Sequence, residues 1–289
     1  MNNKDKKTEI ALVKPRIWNF ETIKKQDAWK EVVYSARVSG VPKKIIDKDV
    51  FAMIVKNDYG SALEHIIIKF DMKMTKGNAP EFLEHRMVSH TGYSTRYTKV
   101  NQGFHKDKSI YEIIVPFHLL NNDLVKDDML RGIRHSIDTY DDLLSKKIPK
   151  EIARYVLPFA QAVGIYHVTI NLRSFLNFLS LRLCVRSSPE LRCIAAQLYF
   201  ELIEKLPIMR DLVGCRGFTR GVCPESGVTG VRTGNPHPFY PVCPFRNKAS
   251  SIYIPTKGEV KKGVKVLEFD IEKATLTQES VYRKWMAWE

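Results

Sequence analysis

The chain has 289 residues, of which 44% are hydrophobic and 27% charged, enough for a buried core and too rich in apolar residues for a disordered chain. With 46 Lys and Arg against 32 Asp and Glu, its formal net charge of +14 makes polyanions the expected partners, either nucleic acid or small phosphorylated ligands in a cleft. No apolar run approaches the roughly 20 residues that span a bilayer, Met1–Lys7 is not followed by the apolar stretch of a signal peptide, and five cysteines argue for a reducing cytoplasm over a disulfide scaffold. Lysine is scattered whereas arginine gathers in a few motifs, which favours discrete small anions.

In chain order, Ile10–Val13 reads as an edge strand after a polar arm. Helical spacing starts near Thr22, with Ala28, Trp29, Val32, Val33 and Ala36 on one stripe and Gly40 as the stop. A second helix covers Asp47–Lys56, with Val50, Phe51 and Ile54 inward. After Gly60-Ser61-Ala62-Leu63, the alternation of Ile66, Ile68, Phe70 and Met72 predicts a half-buried strand. A short helix opens at Ala79-Pro80, placing Glu81, Glu84 and His85 on one face and Phe82, Leu83 and Met87 in the core.

The stretch Glu84–Val100 then combines His85, Arg86, Ser89, Ser94, Arg96 and Tyr97. It reads as a helix end running into a loop that offers guanidinium forks and hydroxyls to an anion, with Gly92 allowing the backbone to turn. A solvated basic loop is the plainer alternative.

Further on, Tyr111–Val115 reads as a strand stopped by Pro116, and Asn121–Lys147 as a long amphipathic helix buried through Leu130, Ile133, Ile137, Tyr140 and Leu144. Pro149 opens another short helix that carries Arg154, and Gly164–Ile170 alternates like a strand. The segment starting at Asn171 is a helix whose apolar stripe is Leu172, Phe175, Leu176, Leu179 and Leu183; its Asn and Arg residues then require a polar ligand or protein partner. Ser187-x-x-Glu190 predicts a capping box that opens a helix through Leu206, buried along Leu191, Ile194, Leu198 and Leu202. Residues 213–256 are rich in Gly and Pro, and residues 257–289 suggest a strand over Val264–Phe269 and a short terminal helix with Trp285 and Trp288.

These motifs resemble the signature of the flavin-dependent (alternative) thymidylate synthases. In that family an Arg-His-Arg triplet is followed by a spaced serine and x-Arg-Tyr, which this chain matches at Glu84-His85-Arg86, Ser94 and Arg96-Tyr97. Ala153-Arg154-x-x-Leu157-Pro158 and Asn171-x-Arg173-Ser174-x-x-Asn177-Phe178, followed by Leu181-Arg182, are similar to two further blocks, so the likeness runs over roughly residues 25–212. It implies an α+β fold, with mixed helices packed on an antiparallel or mixed sheet in the alternative thymidylate synthase arrangement. Residues 1–212 would form the catalytic domain and residues 213–289 a Cys/Pro/Gly-rich extension.

The implied reaction is reductive C5-methylation of dUMP, with methylenetetrahydrofolate giving the carbon and NADPH the electrons through FAD. By the resemblance, Ser61, His85, Arg86, Asn171, Arg173 and Asn177 match flavin-contacting positions. Ser94, Arg96 and Arg154 match nucleotide-binding ones, and Arg182 the catalytic arginine that steadies negative charge on the uracil ring. A cytoplasmic homotetramer with shared sites is implied as well. Such a mechanism needs no cysteine nucleophile.

Five positions depart from the family pattern: Tyr59 at a usual histidine, Pro80-Glu81 at a usual arginine-glutamine, Glu84 at the triplet's first arginine and Gly92 at a usual acidic residue. Two carboxylates facing one phosphate would repel it by about 1 kcal/mol or more each. Two alternatives therefore stand beside dUMP methylation: a paralogue that methylates or hydroxymethylates another pyrimidine nucleotide such as UMP, and a non-catalytic basic nucleic-acid-binding protein. Cys215, Cys223, His237 and Cys243 would satisfy tetrahedral zinc, although their spacing matches no compact zinc ribbon and free thiols are the other possibility.

Overall fold

A computed structural model describes residues 8–22, 27–100, 110–161, 164–224, 242–266 and 268–288. The strands, in chain order, are β1 (Ile10–Leu12), β2 (Arg16–Thr22), β3 (Ile67–Met74), β4 (Val88–Gly92), β5 (Tyr111–Ile113) and β6 (Gly164–Asn171). Four of them form an antiparallel sheet in the order β2-β3-β6-β4, while β1 and β5 pair in parallel beside it. Along β3 and β6 the register sets Ile68 opposite Ile170, Phe70 opposite Val168 and Met72 opposite Tyr166. All six side chains are buried, so a slip of one residue would turn the whole apolar set toward water.

The helices are α1 (Trp29–Val38), α2 (Asp47–Asn57), α3 (Gly60–Leu63), α4 (Ala79–Leu83), α5 (Phe117–Leu120), α6 (Asp123–Ser145), α7 (Lys150–Ala153), α8 (Leu172–Arg182), α9 (Pro189–Lys205), α10 (Arg216–Arg220), α11 (Lys257–Lys261) and α12 (Ile271–Ala287). Helix α9 is buried nearly all round, as expected of a central helix, and packs on β2, α8 and α12. Tyr282 and Trp285 of α12 belong to the same apolar cluster as the sheet and α9. A second cluster joins β5, α6 and α7 through Tyr111, Ile113, Ile137 and Tyr140. A third gathers Phe218, Phe245, Ile252, Ile254 and Ala274. Among the described residues no helix is long and apolar enough to cross a membrane.

Several elements differ from expectation. Strand β2 has no clean alternation because a bulge between Trp18 and Glu21 changes its phase; Asn19 takes the left-handed conformation there (φ 52°) and its amide donates to Asp71 at 2.7 Å. Residues 88–92, expected as loop, form the edge strand β4, which the ladder with β6 holds although four of its five residues are exposed. Met87 sits at positive φ and is 71% exposed, outside the core.

The expected capping box does not form. Glu190 turns inward and accepts from Thr75 N, Thr75 Oγ1 and Asn78 Nδ2 at 2.8, 2.8 and 2.6 Å, fastening α9 to the end of β3. Burial pushes its pKa up. The described part of 264–269 holds no strand, and the terminal helix runs for 17 residues.

Candidate active site

The site is arranged around α4. Pro80 suits its first turn, and Phe82 anchors it by packing edge-on to Phe70 and Phe178 at 6.5 and 5.4 Å. Glu81 and His85 lie one turn apart, and both meet Arg182 at the end of α8. Arg182 pairs with the Glu81 carboxylate through Nη1, donates to the Glu81 carbonyl from Nη2 at 2.9 Å, and donates to His85 Nε2 from Nε at 3.0 Å. A ring nitrogen that accepts must be unprotonated. Burial, and then the Arg182 charge, hold the His85 pKa down to about 4, so the network assigns its proton to Nδ1.

On one side of α4 lies a cavity of about 450 Å³ whose wall includes Lys76, Pro80, Thr95, Arg154, Phe159 and Gln161. Arg154 is carried by the 3-10 turn that continues α7, and its Nη1 donates to Thr95 Oγ1 at 3.1 Å. Lys76, which sequence reasoning missed, brings a second cation; its pKa is lowered by burial and then by Arg154. Its one sequence signal is the Lys76-Gly77 turn just after β3. Two cations among mostly apolar walls make a site for a small anion with a flat ring. Arg96 stays out of this wall: its Nε and Nη2 donate to Glu151 at 3.1 and 2.9 Å, and its side chain is 53% exposed. Ser94 is half-buried and lines neither cavity.

A second space is a cleft of about 350 Å³ that takes in Arg86, Arg173, Asn177, Arg216 and Arg220. Arg173 donates from Nη1 to Glu64 at 2.9 Å and lies 3.8 Å from Asp58. Its guanidinium covers Gly60, where a Cβ would come within 2.2 Å of it, and Ser61 is exposed one residue further on. Asn177 accepts from Arg216 at 3.2 Å. Asn171 is occupied as the cap of α8, accepting from Ser174 N at 2.9 Å, and does not line the cleft.

Within one chain, then, Arg154 belongs to the first cavity and Arg86, Arg173 and Asn177 to the second, while Arg182 lines neither and is held by Glu81 and His85. The acidic departures do not face a common anion. Glu81 is engaged with Arg182, while Glu84 is exposed and lines neither space. Tyr59 is 55% exposed at the start of α3. At Gly92 a Cβ would lie 2.5 Å from the Tyr166 ring, so an acidic side chain there would displace that ring.

The zinc expectation is corrected. His237 falls outside the described residues, and among those described no group of three or more His, Cys, Asp or Glu side chains is placed to hold a metal ion. Cys215, Cys223 and Cys243 pack against the third apolar cluster, and burial pushes each thiol pKa up.

A family model described as "Thymidylate synthase complementing protein" matches residues 21–208. A flavin-dependent thymidylate synthase of Pseudothermotoga lettingae is 33% identical over 151 residues, covering 52% of this chain and 67% of the relative. One from Thermococcus onnurineus is 30% identical over 188 residues, covering 62% and 74%. The crystal structure of a UMP/dUMP methylase, PolB from Streptomyces cacaoi, bound with 5-Br dUMP, superposes with a TM-score of 0.56 at 21% identity over 69% of this chain and 94% of that one. That likeness is one of fold.

Proposed function

Because this chain belongs to the thymidylate synthase complementing protein family, we propose that it is a flavin-dependent thymidylate synthase that methylates dUMP at C5 to give dTMP. Methylenetetrahydrofolate would supply the carbon and NADPH the reducing equivalents. The observation that carries the reading is Arg182, fixed through all three of its nitrogens by Glu81 and a neutral His85. A fork held this firmly is preorganised, so it can stabilise charge without first having to reorganise.

Each residue then has a task. Arg154 and Lys76 hold the nucleotide phosphate in the first cavity, with Thr95 aiming the guanidinium. Arg182 lines neither space, but Glu81 holds it next to Pro80 of the first cavity, and from there it would meet the pyrimidine edge and steady the negative charge that makes C5 nucleophilic. His85 keeps Arg182 in place and, being neutral, does not compete with it for that charge.

The second cleft fits a dinucleotide on its own chemistry: four arginines and an asparagine surround it, and the buried Arg216 Nε has no hydrogen-bond partner among the described residues. Arg86, Arg173 and Asn177 would hold FAD there, with Ser61, His85 and Asn171 at its margin. Bound flavin supplies the hydride chemistry that side chains lack. Ser94 and Arg96, exposed or half-buried here, would complete the nucleotide site of a neighbouring copy in a cytoplasmic homotetramer.

The deciding experiment is mass spectrometry of products after incubating purified protein with dUMP, UMP or dCMP, plus FAD, methylenetetrahydrofolate and NADPH. C5-methylated product from dUMP is expected. Product from UMP or dCMP alone would move the substrate to another pyrimidine nucleotide. A colourless protein that makes no product and shifts DNA with steep salt dependence would replace the enzyme with a nucleic-acid-binding protein.

A further inference from the structure

We infer that the segment beyond residue 212 builds part of the cofactor site: Arg216 and Arg220 of α10 bind the diphosphate of the dinucleotide in the second cleft. This rests on the flavin reading above and goes beyond it, because α10 lies outside the 21–208 stretch matched by the family model.

Three observations support it. First, placement: Arg216, Thr219 and Arg220 all line the cleft together with Arg86 and Arg173. Arg216 and Arg220 are one turn apart, while Phe218 between them is buried in the third apolar cluster and holds the helix in position. Second, charge balance: the cleft holds the cations Lys56, Arg86, Arg173, Arg216 and Arg220 against the carboxylates Asp58 and Glu64. Both carboxylates are engaged with Arg173, and among the described residues no carboxylate pairs with Arg216 or Arg220. Third, an orphaned donor: Arg216 reaches Asn177 through Nη2, but its Nε is buried without a partner among the described residues. Two neighbouring guanidinium groups with unused donors match the spread charge and many acceptor oxygens of a diphosphate. Burial and then the Arg220 charge lower the Arg216 pKa, a repulsion that an anion lying between them would remove.

The test titrates the full-length protein with FAD, FMN and riboflavin, following flavin fluorescence, for wild type, R216Q/R220Q, R216K/R220K and the exposed single variant R220Q. The double glutamine variant should bind FAD about tenfold or more weakly, and R220Q about threefold, with riboflavin affinity unchanged. The lysine variant should recover most of the loss. FAD affinity within twofold of wild type in both glutamine variants, or an equal loss for riboflavin, overturns the inference and leaves the flavin reading standing. A wild type that takes up none of the three flavins overturns the flavin reading itself, and this inference with it. Because R220Q alters an exposed side chain, its result does not depend on the double variant folding.

Discussion

Arg182 and His85 are joined by a hydrogen bond in which the imidazole accepts, 3.0 Å from guanidinium Nε to ring Nε2. Protonating that ring would set two cations against each other in a half-buried place. The histidine pKa is therefore lowered from 6.5 to about 4, by burial first and by Arg182 second. The unfolded chain takes up this proton near pH 6.5 and the folded chain only near pH 4. The stability that depends on it is fully present above pH 6.5 and drains away as the pH falls toward 4. Melting temperatures measured from pH 7.5 to 4 should fall more steeply for wild type than for H85Q, whose amide accepts without titrating. Parallel curves would show that this ring does not carry the effect.

Substituting Arg182→Lys keeps a charge but loses the planar fork that spans Glu81 and His85. Turnover should fall about 100-fold or more, with nucleotide affinity changed only a few-fold. Single-turnover rates and equilibrium binding, measured separately, check the split; a loss confined to binding would move Arg182 out of the chemical step.

Glu81 offers a sharper comparison. Its side chain and its carbonyl both hold Arg182, and a glutamine would still accept from Nη1. E81Q should keep turnover within about threefold, whereas E81A, which frees the guanidinium, should cost about tenfold or more. If E81Q is as damaged as E81A, the negative charge matters and not the geometry.

In the first cavity, R154A should raise the KM for the nucleotide about tenfold or more, and K76M by a smaller factor, both leaving FAD binding as in wild type. A flavin titration run beside the kinetics distinguishes this from general damage to the fold.

Glu190 is a test of structure alone. Replacing it with alanine strips acceptors from Thr75 N, Thr75 Oγ1 and Asn78 Nδ2 inside the protein and should cost about 3 kcal/mol or more in urea unfolding. E190Q, which keeps one acceptor oxygen, should lose less. A loss below about 1 kcal/mol in E190A would mean that water replaces the carboxylate.

Where side-chain period and secondary structure agree, the chain was legible. Ile68, Phe70 and Met72 announce β3, Val50, Phe51 and Ile54 announce α2, and the Leu130–Tyr140 spacing announces α6. Local pattern failed where long-range pairing decides. Asn19 breaks the phase of β2, and β4 is a strand only because β6 lies beside it. Glu190 looks like a cap residue until the end of β3 is brought to it. The nucleotide and cofactor candidates came from resemblance, since a lone Arg154 or Arg173 on a helix has no distinguishing period. Nothing local marks Arg216 or Arg220 and only the turn after β3 marks Lys76; the importance of all three depends on which wall each one joins.

Tyr282 and Trp285 complete the apolar cluster around the sheet, although they lie some two hundred residues from β3 in sequence. During synthesis the face of α9 that they cover must therefore wait, uncovered, until the ribosome has passed them. A transcript cut short anywhere before that point would yield a sticky, chaperone-dependent product, even with every residue matched by the family model intact.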